Sequence, residues 1–342
     1  MTTRLRLAAL VLALAALVAP GAMAKPRLVS FSELNGWASD DHAAALKVFR
    51  GTCDLMKDAA WAPICHAAKS VRNPRAFLEK FLQPVELSRP RSTLFTGYYE
   101  PELLGSPTRS PRFPYPLYRK PPELKPGDRW YTRSEIETRG LLNGRGLEIA
   151  WLENPVDVFF LQVQGSGRIR LTDGRALRVG FAAKNGHPYR SVGKEMVRRG
   201  LLPANAVSAG GIRNWVTRNG ADGLRILHHN PSFIFFRELD LPAELGPLGA
   251  MDRPVTPGRS LAVDPRAIPL GAPVWIEKRG KHPLRRLMIA QDTGSAIRGA
   301  GHVDIFVGTG EKAGNIAGTM RDGGRIVVLL PVETARALVR GN

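Results

Sequence analysis

The chain has 342 residues, 44% hydrophobic and 23% charged, which is too long for one core and too apolar for a disordered chain. Its 35 glycines and 27 prolines suit a turn-rich β fold and argue against a helical bundle. A formal charge of +19 points to an anionic partner.

The N-terminus has the pattern of a secretory signal. Arg4 and Arg6 precede an apolar run from Leu7 to Val18, Pro20-Gly21 breaks it, and Ala22-Met23-Ala24 offers a small-residue cleavage site. The run is short for a membrane helix. Residues 1–24 are therefore expected to be removed on export, and the mature protein to be periplasmic, in reach of the outer membrane. That segment holds two arginines and no acids, so the remainder carries +17. Export turns the anionic partner toward cell-wall glycan with its peptide carboxylates, or lipopolysaccharide. Nucleic acid is not expected, since no helix-turn-helix, finger or RNA-binding signature is present. A lipobox needs Cys at the cleavage site, and the only cysteines, Cys53 and Cys65, lie downstream. Two cysteines in an exported chain predict a Cys53–Cys65 disulfide.

Residues 25–38 read as extended. From Asp40 to Met56, Leu46, Phe49, Cys53 and Met56 recur at helical spacing. A short helix holds Ile64 and Cys65, and another spans 74–81. Thr93 to Glu100 reads as a strand running into Pro101. A Pro- and Arg-rich stretch, 107–127, marks a boundary. Ser134-Glu-Ile-Glu137 has the form of a capping box. Val156–Gln164 and Arg168–Leu171 read as strands around the turn Gly165-Ser166-Gly167. Helices are expected over 191–199, 208–218 and 221–228, and a strand over 232–237. From Ser260 strands recur at short spacing with Gly/Pro turns, ending at 325–330 before a helix from Val332. Such spacing means a sandwich or barrel.

The densest stretch runs from Met288 to Gly310. An apolar strand leads into Asp292, a Gly-rich turn follows, and then Val303, Ile305 and Val307 alternate with His302, Asp304 and Phe306. With period two, Asp304 faces away from the Val/Ile/Val row, into a cleft or solvent. Asp264, before Pro265, ends an upstream strand. Asp292-Thr-Gly-Ser295 also has the form of an aspartic-protease signature, but that chemistry needs two such aspartates and the chain has one Asp-Thr-Gly. No His cluster has metal-ligand spacing, and the Gly-rich turns lack the Lys-Ser/Thr of a P-loop, so neither metal nor cofactor is expected.

These strand-end aspartates, with Phe95-Thr-Gly-Tyr-Tyr-Glu-Pro101, Gln162-Val-Gln-Gly-Ser-Gly167, Ala183-Lys-Asn-Gly-His-Pro-Tyr-Arg190, Asn230-Pro-Ser-Phe-Ile-Phe-Phe236 and His302-Val-Asp304, resemble the MltA-type lytic murein transglycosylases, whose C-terminal segment is the 3D domain. The resemblance covers nearly all of the chain after residue 24. It implies a mainly β fold with helical additions. A double-psi β-barrel would be made of 25–102 and 204–342, including a helical N-terminal preface, with a smaller β-rich domain, 103–203, inserted as the other wall of a glycan groove. It implies cleavage of peptidoglycan strands to 1,6-anhydromuramic acid ends, with Asp304 as acid and then base. Asp292 would tune it, with Asp264 and His302 in support. Tyr99, the best of several candidate stacking aromatics, and Glu100, Gln164 and Ser166 are the expected sugar contacts. A monomer is expected, with proteins of a cell-wall synthesis complex as further partners. The competing reading is an expansin-like module that binds wall polymers without cutting them.

Overall fold

The computed structural model describes residues 25–87 and 93–341; the expected signal segment lies outside the described residues. In chain order the strands are β1 (Arg27–Leu28), β2 (Leu82–Glu86), β3 (Leu94–Glu100), β4 (Glu102–Ser106), β5 (Tyr115–Tyr118), β6 (Glu148–Leu152), β7 (Ser166–Leu171), β8 (Ala176–Lys184), β9 (Ile234–Glu238), β10 (Ser260–Val263), β11 (Pro273–Lys278), β12 (Leu284–Thr293), β13 (His302–Thr309) and β14 (Gly324–Pro331). The helices are α1 (His42–Arg50), α2 (Ala62–Ala68), α3 (Pro74–Phe81), α4 (Arg133–Thr138), α5 (Pro155–Gln164), α6 (Val192–Arg198), α7 (Ala209–Leu227), α8 (Gly310–Thr319) and α9 (Val332–Arg340).

Eight strands pair in the order β1-β2-β14-β11-β12-β10-β13-β3. β10 with β12 and β13 with β3 are parallel; the other pairs are antiparallel. The β3 end closes back on the sheet. Phe95 and Asp322 exchange backbone hydrogen bonds of 2.8 and 3.0 Å. Thr93 Oγ1 donates to the Gly324 carbonyl at 2.5 Å and accepts its N–H at 3.0 Å. Six strands, β3 and β10 to β14, thus make a ring, which satisfies backbone groups that an open edge would leave unpaired. Phe95, Leu261, Val274, Ile289, Val303 and Ile305 belong to the largest buried core.

The helical preface packs on this ring because its helices are capped and one-sided. Asp41 accepts from Ala44 N–H at 2.9 Å to start α1, whose Ala45, Leu46 and Phe49 are buried. Asn73 and Pro74 start α3. Asp40 anchors the preface to the ring, taking both Nη groups of buried Arg259 at 2.9 and 3.1 Å and the Leu287 N–H at 2.9 Å. The expected Cys53–Cys65 disulfide is present, with Cα atoms 5.4 Å apart, beside α2.

The second sheet has the order β5-β6-β4-β7-β8-β9. The structure departs from the sequence reading at three places. Residues 156–164, read as a strand from their Val and Phe content, lie in α5. Asn154 caps it, Pro155 occupies its first turn, and Gly165 ends it at φ +81°, a conformation glycine adopts without a Cβ penalty. The expected boundary at 203 falls between β8 and β9, two paired strands of this sheet. α7, kinked at Gly220, packs with α5 and α6 through Ile212, Val216, Phe159 and Met196, and β9 pairs with β8, so 204–238 lies with the second sheet. Third, α8 was not anticipated. It lies so close over β3 that a Cβ on Gly97 would come within 2.8 Å of the Ala317 Cα.

Candidate active site

The chain passes from the ring to the second sheet at Pro101 and returns after β9. Between the two lies a cleft of about 240 Å³. The ring side contributes Gly97, Tyr98, Ala262, Asp304 and the turn 292–297; the second-sheet side contributes Gln162, Gln164, Tyr189, Asn230 and Ser232.

Strand register builds the floor. Ala262 of β10 pairs with Asp304 of β13 on one side and with Asp292 of β12 on the other. Directly paired residues share a face, so both carboxylates rise on either side of one methyl group. Two strand spacings put their backbones roughly 10 Å apart. The alternation expected around Asp304 is present: Val303 and Ile305 lie in the ring core, and Asp304 turns to the cleft.

Asp304 is partly buried, and burial pushes its carboxyl up to about 7. The Asp292 charge adds to the rise, and the Thr96 hydroxyl opposes it by donating to Asp304 Oδ1 at 2.8 Å. Thr96 Oγ1 also lies 3.1 Å from His302 Nε2. Burial, with Arg321 nearby, holds His302 below its usual range, so the ring is neutral at pH 7. Asp292 Oδ1 accepts the N–H groups of Thr293 and Ala250 at 2.8 and 2.9 Å. Burial still raises its carboxyl to about 6 against those two amides and the neighbouring Tyr98 hydroxyl. The Tyr98 hydroxyl is itself buried with no hydrogen bond of ordinary geometry. Burial, then the Asp292 charge, lifts it well above the usual phenol range.

The structure brings Asp304, Asp292, His302 and Gln164 to this region and leaves other candidates outside it. Gln164 lines the cleft while its Oε1 accepts the Tyr99 N–H at 3.2 Å. Tyr99 itself does not line the cleft; its ring packs against Gly314 of α8. Its neighbour Tyr98 takes the cleft position. Ser166 is buried in β7, paired with Gly180. Glu100, 1% exposed, does not line the cleft. It accepts from Arg168 Nε at 2.7 Å, Arg178 Nη2 at 2.8 Å and Thr309 Oγ1 at 3.0 Å, tying both sheets together. Asp264 is buried and away from the cleft. It accepts from Arg266 and from Gly299 N–H at 2.8 Å, which fixes the turn after Asp292, and the Arg266 guanidinium holds it well below the carboxylate range. Sequence reasoning missed Thr96 and Ala262, and it ranked Tyr98, one of its candidate stacking aromatics, below Tyr99. Strand alternation from Thr96 would have found Tyr98, two residues on, in preference to Tyr99. No group of three or more His, Cys, Asp or Glu side chains is clustered for a metal among the described residues.

Residues 94–237 match the MltA specific insert domain and 259–330 the 3D domain. A membrane-bound lytic murein transglycosylase A of Vibrio cholerae is 36% identical over 249 residues, 69% of this chain and 64% of that protein. The matched region thus spans less than two thirds of that curated relative. A membrane-bound lytic murein transglycosylase structure from Agrobacterium tumefaciens is 33% identical with a TM-score of 0.81, covering 92% of this chain and 99% of that one. The Escherichia coli MltA structure with bound chitohexaose is 30% identical with a TM-score of 0.70, covering 85% and 90%.

Proposed function

The chain belongs to the membrane-bound lytic murein transglycosylase A family, and from that premise we propose that it cleaves the β-1,4 bond between N-acetylmuramic acid and N-acetylglucosamine in peptidoglycan, closing a 1,6-anhydro ring on the muramic acid. One observation carries this reading. Asp304, in a cleft walled by two sheets, has a carboxyl that titrates near 7 and so still holds a proton in much of the population at neutral pH. An acid that must protonate a leaving oxygen needs that.

Protonated Asp304 gives its proton to the glycosidic oxygen as the bond to C1 breaks. Its carboxylate is then held by the Thr96 hydroxyl. The C6 hydroxyl of the same muramic acid attacks C1, and Asp304 takes the C6 proton, which restores the acid. The nucleophile is part of the substrate, so proximity replaces a positioned water. Asp292, across Ala262, keeps a negative charge near Asp304 and raises its affinity for the proton. Gln162, Gln164, Asn230 and Ser232 supply polar groups for sugar hydroxyls and acetamido groups.

The closed six-stranded ring with its two parallel pairs supports reading the first domain as a double-psi β-barrel. The sheet pairings support a second domain of 102–238. The disulfide and the leader-like run 7–18 support export to the periplasm, where a monomer would act on glycan strands. No described helix is long and apolar enough to cross a membrane.

Asp304→Asn keeps the shape and cannot donate and then accept the proton. We expect turnover of purified peptidoglycan to fall about 10²–10⁴-fold or more, with glycan binding retained and the wild-type rate falling as pH rises through about 7. An Asn variant that still releases muropeptides would remove Asp304 from the chemistry. Wild-type protein that binds glycan and releases nothing would favour the expansin-like reading.

A further inference from the structure

A second and larger cavity, about 700 Å³, opens inside the second domain, between the β5–β6 edge of its sheet and helices α4, α5 and α7. Its volume falls in the range of ligand sites, roughly 300–1,000 Å³. Val158, Leu224 and Leu227 make it apolar on the helix side, and the rings of Tyr115 and Trp151 face it from the strands. Two charges of opposite sign line it without an ion-pair partner among the described residues. The Arg109 guanidinium lies over the Trp151 ring, 5.8 Å from its centroid. The Glu148 side chain makes no hydrogen bond or ion pair, while its backbone carbonyl accepts from Arg119 Nη1 at 2.9 Å.

A third feature joins this cavity to the cleft. Arg133, 2% exposed, lines both. It donates to Gln162 on the cleft side and, at 2.9 Å, to Glu137 on the cavity side, and Glu137 meets His228 Nε2 at 2.9 Å. The Arg133 Nε–H is buried with no acceptor. Leaving such a donor unsatisfied is costly, and an occupant bearing a carbonyl or carboxylate would supply the acceptor.

We propose that this cavity binds a short zwitterionic peptide with small aliphatic side chains: its carboxylate at Arg109, its amine at Glu148, its side chains on the Val158–Leu224–Leu227 surface. A purely apolar ligand would leave both charges unused, and a sugar would leave the aliphatic surface unmatched. The identification of that peptide with the stem peptide of peptidoglycan rests on the proposed function; the peptide chemistry does not. The site is separate from the glycan cleft and shares one wall with it.

The test is calorimetric titration of the full chain with the free tetrapeptide alanyl-γ-glutamyl-diaminopimelyl-alanine, with Trp151 fluorescence as a second readout. The expected result is saturable binding that Arg109→Gln and Glu148→Gln each weaken about 10-fold or more, the loss of one charge-assisted contact. Chitohexaose binding should be unchanged in both variants and should not compete with the peptide. Arg109 is exposed and Glu148 half-buried, and neither side chain holds an ion pair among the described residues, so the variants should keep the wild-type Tm; Leu227→Trp, which fills the cavity, is a further block. Comparing strands with and without stem peptides separates the two sources. A KM advantage for peptide-bearing strands that vanishes in Glu148→Gln assigns the linked stem, and unchanged KM with peptide binding intact assigns a released peptide. No saturable binding to wild type, equal binding in all three variants, or displacement of the peptide by chitohexaose would overturn the proposal. Peptide binding by a protein that cuts no glycan would leave it standing and defeat only the proposed reaction.

Discussion

Thr96 has one hydroxyl proton and two neighbours. Asp304 Oδ1 can only accept when ionised, so Thr96 gives it that proton, and His302 must then offer an Nε2–H to the Thr96 oxygen. Each group in this chain of three suits the other two. Thr96→Val removes the donor that stabilises the carboxylate. The Asp304 pKa should move further up, so the alkaline limb of the pH–rate profile should shift above 7 and kcat should drop, with KM for glycan little changed; an unmoved limb would contradict this role. The sign on stability is the reverse of the usual carboxylate case. Folded Asp304 keeps its proton to about 7 and folded Asp292 to about 6, while an unfolded aspartate loses it near pH 4. The folded state therefore binds more protons across that window, and stability falls as pH rises through it. Asp304→Asn should raise Tm relative to wild type at pH 8 and less so at pH 4. The placement of Asp304 on the cleft face was legible from strand period. Thr96 was not, because a hydroxyl in a strand carries no signal until its cross-strand partner is known.

At the scale of elements, the site is a property of register. β10 lies between β12 and β13, so a single small residue, Ala262, separates the two acidic side chains. Ala262→Val would push two methyl groups into the cleft floor from a strand that tolerates β-branched residues well. Glycan binding and turnover should both fall at least 10-fold with Tm within a few degrees of wild type; full activity would mean the substrate does not reach the floor. Most strands of the six-stranded ring were readable from alternation and turn residues. α5 was misread because Val156, Val158, Phe159 and Phe160 favour strands, although Asn154-Pro155 and Gly165 already marked the start and stop of a helix. α8 was missed because its glycines and alanines, which let it sit against Gly97 and Tyr99, leave little hydrophobic period to detect.

For the whole molecule, the question is what holds the two walls of the cleft in register. Glu100 sits at the crossing and is bonded to Arg168 and Arg178 of the second sheet and to Thr309 of the ring. The sequence reading marked it as an expected sugar contact; only the fold shows its carboxylate facing two arginines. Glu100→Ala should cost about 3–5 kcal/mol, because it strands buried positive charge, and should widen the cleft, raising KM before unfolding; a variant with unchanged Tm would show that the walls are held elsewhere. The central claim is narrower: one committed carboxyl and a nucleophile that belongs to the sugar. It is tested by digesting peptidoglycan in heavy-oxygen water and weighing the released muropeptides. The account predicts products one water lighter than hydrolysis products, with no heavy oxygen at the new end. Label at that end would show that water attacked C1, and Asp292 would then have to serve as the base that activates it.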